Sequence, residues 1–176
     1  MTKSFFGKME TQFQPITKVG VRPSTAPVMH GICWEDLGCV QIVSNDFYLK
    51  ASLADVLLDQ QADVCFSNDL KSLKYSNVLL VDIDSLGGIS WSIDQLLVLR
   101  AQRRSRITIL LSAEFSSDDF DPNRLWVCDA SLRLPFSFAR LEQAFVEADN
   151  NNLVWQDEQV RPALAVRAPQ SLAIAR

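Results

Sequence analysis

The chain has 176 residues, of which 48% are apolar and 22% charged, and carries a formal net charge of −4. That composition fits one packed domain with sequence to spare and excludes global disorder, while the acidic balance argues against a nucleic-acid face, which needs a basic stripe. The longest apolar runs, 78–81 and 107–111, fall far short of the ~20 residues of a membrane-spanning helix, and the first seven residues lack a signal peptide's apolar stretch, so a cytoplasmic protein without membrane partners is expected.

Residues 1–37 show no sustained period and carry Pro15, Pro23 and Pro27, so they read as an irregular arm. Phe5, Phe6, Phe13 and Trp34 suggest that parts of this arm pack on something. From there, short apolar runs alternate with amphipathic stretches. Residues 40–43 read as a strand, followed by a helix striped with Leu49, Leu53, Val56 and Leu57 and capped by Asp46. Residues 63–66 form a second predicted strand, and the polar stretch 68–77 has little helical character. The third strand, 78–83, is apolar on both faces, as a central parallel strand should be. Ser92, Ile93, Asp94 and Gln95 offer a capping box for a helix with Leu96, Leu97 and Leu99.

Arg100, Arg103, Arg104 and Arg106 close that helix as cations at the negative end of its dipole. Residues 107–111 read as a fourth strand, Asp121 and Pro122 as the start of a short helix, and 131–134 as a fifth strand. Phe138, Leu141 and Phe145 stripe a last helix. The run Asn150, Asn151, Asn152 then opens a predicted linker or tail over 149–176, with an ordered piece at 153–155.

Strands alternating with helices imply crossover units and a parallel sheet. Five units within 38–148 fit a flavodoxin-like, doubly wound sheet of order 2-1-3-4-5, with Val81, Ile109 and Leu110 in its core. In such a sheet, chemistry sits outside the carboxyl ends of the strands. The single histidine, His30, excludes a His-rich metal site, and Cys33, Cys39, Cys65 and Cys128 form no CxxC pair, so they read as reduced small hydrophobes.

At the strand ends the chain resembles the CheY-like receiver domains of response regulators. The third strand ends Val81-Asp82-Ile83, and Asp82 stands at the family's phosphoacceptor position. Ser112 ends the fourth strand where the family has a Ser or Thr, and Leu134-Pro135-Phe136 is similar to its Lys-Pro-Phe. The departures are equally specific. Ser44 and Asn45 occupy the acidic pair, Leu134 occupies the lysine, and Leu86 replaces a proline. Arg133 cannot stand in for the lysine, because successive side chains on a strand face opposite ways. Asp46 and Asp82 are the carboxylates left to hold Mg²⁺, a poorer set than the family's, so no cofactor and no metal are expected.

The resemblance implies a bacterial two-component or transcription-control setting. The expected role is a degenerate receiver, a non-catalytic module acting through a protein partner or homodimer without phosphorylation; the alternative is a working phosphoacceptor using Asp82. Direct nucleic-acid binding is not expected, since no helix-turn-helix pattern comes after residue 150. In the family the surface of the fourth helix, fifth strand and fifth helix carries contacts. This points to Trp126, Arg133, Phe136, Phe138, Arg140 and Phe145 as interface candidates. A nucleotide or flavin enzyme on the same fold is disfavoured: no P-loop pattern occurs, and 44–46 holds no glycine to let amides approach a phosphate.

Overall fold

Five short strands, β1 (Cys39–Val43), β2 (Asp63–Ser67), β3 (Val78–Asp82), β4 (Ile107–Ser112) and β5 (Ala130–Arg133), pair in parallel in the order β2-β1-β3-β4-β5. This is the expected flavodoxin-like sheet. The computed structural model describes Trp34 and residues 37–167, with 159–167 as backbone only, so most of the expected N-terminal arm lies outside the described residues. Three α-helices accompany the sheet: α1 (Phe47–Asp59), α2 (Ile89–Gln102) and α3 (Phe138–Arg167). The stretch between β2 and β3 forms no helix, as its polarity implied, and a single 3-10 turn (Pro122–Arg124) lies between β4 and β5.

All residues of β3 and β4 are buried, because helices or loops cover both faces. On one face Val40, Ile42, Leu80, Ile109 and Leu111 meet Leu53 and Leu57 of α1 and Leu141 and Phe145 of α3. Trp34 joins that layer, edge-on to Phe145 with ring centroids 4.9 Å apart. The other face is thinner: Val43, Leu79, Val81 and Leu110 are covered by Leu96 of α2 and by Leu70 and Cys128 from loops. The predicted core residues Val81, Ile109 and Leu110 are all buried.

Three expectations fail for identifiable reasons. First, α2 does not start at a Ser92 capping box. It begins at Ile89, behind Gly87 and Gly88 at φ 93° and 86°, and Ser92 is buried inside it. The glycines allow the chain to reverse from β3 into the helix, with the Gly88 amide donating to the Ile83 carbonyl at 2.7 Å. Second, the domain does not end at 148, because α3 runs on to Arg167. Two asparagines of the run bond other segments: Asn151 donates to the Phe120 and Asp129 carbonyls, and Asn152 to the Arg104 and Arg106 carbonyls.

Third, the arginines that close α2 are not simply dipole cations. Arg100 is buried and forms a fork with the buried Asp129, and also donates to the Leu125 carbonyl at 2.6 Å. Asp129 further accepts from the Thr108 amide at 2.7 Å. Trp155, buried on the extended α3, lies under the Arg100 guanidinium at 5.2 Å.

Candidate functional site

The carboxyl ends of β1, β3 and β4 bring together Ser44, Asp82 and Ser112, three buried polar residues at that edge. Asp82 ends β3 and is only 3% exposed. Burying a carboxylate requires donors, and they come from neighbouring loops. The Ser44 hydroxyl donates to Asp82 Oδ2 at 2.6 Å, and the Ser85 amide approaches Oδ1 at 3.4 Å. Ser44 is itself fixed, since its oxygen accepts the Asp46 amide at 2.8 Å.

Asn45 and Ser85 lace the two loops together above this contact. The Ser85 hydroxyl oxygen accepts the Asn45 amide at 2.9 Å, and the Asn45 side chain donates to the Ser85 carbonyl at 3.1 Å. Thus the pair that replaces the expected carboxylates forms a neutral hydrogen-bonded closure over Asp82.

Asp46 points elsewhere. It is the N-cap of α1, where its Oδ1 accepts the Tyr48 and Leu49 amides at 2.8 and 3.1 Å. Ser112 also turns away from Asp82. Its hydroxyl donates to Asp84 at 2.5 Å, and Asp84 accepts the Ala113 amide at 2.7 Å. Sequence reasoning does not single out Asp84 and Ser85. A signal for them exists: a carboxylate and a hydroxyl two and three residues beyond a strand end commonly cap local amides.

Leu134 is half-buried and packs on the core, so it supplies no charge to this edge. The Leu134–Pro135 peptide bond is cis. A Mg²⁺ ion favours an oxygen cage built on one or two carboxylates. Here the Asp46 and Asp84 carboxylates are committed to backbone amides and a hydroxyl, and among the described residues no three His, Cys, Asp or Glu side chains group to hold a metal. These donors do not fit such a cage.

The six interface candidates separate in space. Phe145 is core at 1% exposure, and Phe136 and Phe138 are half-buried against the same layer. Phe145 is therefore core, a correction explained by the packing of α3 across the sheet, while Phe136 and Phe138 keep part of their surface open. Trp126 stays exposed, edge-on to Trp155. Arg140 forks onto Asp118, and Arg133 donates to the Ser116 carbonyl at 2.9 Å, so both hold the loop after β4. Burial alone would push the Asp118 carboxyl up, but the Arg140 guanidinium and the Arg133 amide outweigh it and hold the carboxyl below its ordinary value. Three exposed aromatics lie at the carboxyl edge itself: Phe47, Tyr48 and Trp91 are 71%, 74% and 72% exposed at the starts of α1 and α2.

Comparison with solved structures finds the same fold in receiver domains. The chain is similar to the response regulator TrrA from Thermotoga maritima, solved in complex with Mg²⁺ and BeF, at 14% identity and TM-score 0.51, with 63% of this chain and 98% of that one covered. It is also similar to the chemotaxis response regulator CheY4 of Vibrio cholerae, at 13% identity and TM-score 0.51 over 64% and 98% of the two chains. The non-phosphorylated HemR receiver domain from Leptospira biflexa matches at 13% identity and TM-score 0.50 over 65% and 94%. No protein-family model and no curated protein matches the sequence. The fold is therefore that of a receiver domain.

Proposed function

We propose that this chain is a degenerate receiver, a non-enzymatic signalling module that works through protein contacts and does not use Asp82 as a phosphoacceptor. The observation that carries this reading is the Ser44 hydroxyl on Asp82 Oδ2 at 2.6 Å. Phosphoryl transfer needs a metal and positive charge around the transferring group. At this edge a neutral hydroxyl takes the metal-ligand position, Asp46 is spent on a helix cap, and Leu134 stands where a cation would report the charge.

The contact surface on this reading is the rim of the same edge. Phe47 and Tyr48 form an exposed edge-to-face pair with centroids 5.8 Å apart, and Trp91 is equally exposed. Exposed aromatics of this kind anchor protein interfaces. The partner is a protein, or a second copy of the chain, in a bacterial cytoplasmic two-component or transcription-control setting. The closed loops at Asn45 and Ser85 hold the rim in one arrangement, so the contact needs no phosphorylation signal.

Incubation with acetyl phosphate and excess Mg²⁺, read by intact-mass spectrometry, tests the reading. The expected result is no phosphorylated species. A substantial phosphorylated fraction that disappears in Asp82→Asn would overturn it in favour of a working phosphoacceptor.

A further inference from the structure

At the opposite, amino edge of the sheet, a cleft of about 380 Å³ opens beside the starts of β3 and β4. Its lining includes Tyr75, Asn77, Arg103, Ser105, Arg106 and Asp149. Arg106 is 6% exposed, and its Nε and Nη1 have no hydrogen-bond partner among the described residues. None of the three ion pairs among the described residues involves it, and Asp149 is the only carboxylate in the lining.

That is an expensive arrangement. A buried charge is ordinarily paired, because leaving it uncompensated is strongly unfavourable. The same fold shows the ordinary solution six residues earlier, where Arg100 forks onto Asp129. The backbone of Arg106 is held at both of its polar groups. Its amide donates to the Arg103 carbonyl at 3.1 Å, and its carbonyl accepts from Arg100 and Asn152, each at 3.2 Å. Burial, and then the charge of Arg103, push the Arg106 guanidinium down from its ordinary value.

We infer that this cleft binds a small molecule presenting phosphoryl or carboxylate oxygens, with Arg106 as its anchor. A guanidinium presents a planar fork of donors that matches either group. Arg103 adds a second guanidinium, held 3.8 Å above the Tyr75 ring, and Ser105 adds a hydroxyl at the mouth. The volume lies at the small end of the roughly 300–1,000 Å³ typical of small-molecule sites. This site is separate from the Asp82 edge and stands or falls independently of the reading given for that edge.

The test uses the full chain, with amide NMR spectra and thermal melts in chloride, inorganic phosphate or succinate at matched ionic strength. A saturable shift of the amides of 75–78 and 103–107, with a raised midpoint, is expected in phosphate or in succinate. The anion that acts identifies the chemical source. Arg106→Met should melt higher than wild type in chloride and bind the active anion about tenfold more weakly or worse, as expected for loss of a charged hydrogen bond. Arg103→Gln, at a more exposed position, should fold normally and weaken binding severalfold. Neither anion shifting these amides beyond chloride would overturn the inference, as would wild-type binding in both variants.

Discussion

The two edges of one sheet treat charge in opposite ways. At the carboxyl edge the carboxylates of Asp46, Asp82 and Asp84 each meet a hydroxyl or amide donor from a loop of this chain. At the amino edge Arg100 is matched by Asp129, while Arg106 is nearly as deeply buried and, among the described residues, meets no acceptor through Nε or Nη1. The carboxyl edge is thus satisfied from within the chain, and the unpaired donors lie at the other end.

The contrast is broken most severely at the matched arginine. Asp129→Ala leaves Arg100 buried without its acceptor, and the loss of a buried partner costs about 3–5 kcal/mol. Urea denaturation should show that loss. A change below ~1 kcal/mol would mean that Arg100 finds another acceptor. Ile109→Ala, on the fully buried strand β4, should cost about 2–5 kcal/mol in the same assay.

The carboxyl edge should respond more gently. Asp82→Asn keeps an acceptor for the Ser44 hydroxyl, so its cost should be about 0.5–1.5 kcal/mol, the worth of one ordinary hydrogen bond. Asp82→Ala removes the acceptor and should cost about 1–3 kcal/mol.

The smallest effect concerns Arg140 and Asp118, which are partly solvent-screened. Arg140→Gln should cost about 1 kcal/mol or less. Because the Asp118 carboxyl is held below its ordinary value, its contribution is complete above the unfolded pKa of ~3.9 and is lost as pH falls through the folded value. Stability measured from neutral pH into the acid range should therefore fall less steeply in Arg140→Gln than in the wild type.

The strand order and the residues at the carboxyl edge were readable because the apolar strands, 78–81 and 107–111, are unambiguous and locate the loop residues at their ends. The position of Asp82 came with them. Side-chain direction was not readable. The sequence places Ser112 and Asp46 at the edge but cannot show that one bonds Asp84 and the other leaves Asp82 to cap α1. The asparagine run reads as a tail because its partners, the Asp129 and Arg106 carbonyls, lie far away in sequence. The pairing of Arg100 with Asp129 escapes for the same reason, since a separation of 29 residues leaves no local pattern.

Asp82 sits, on this reading, in a hydrogen-bonded closure and not in a metal-dependent acceptor site. Titration with Mg²⁺ and beryllofluoride, which mimics an acyl phosphate on aspartate, tests that most directly through the amide signals of Asn45, Ser85 and Ala113. These signals are predicted to stay in place. Saturable shifts at all three, absent in Asp82→Asn, would contradict the closure.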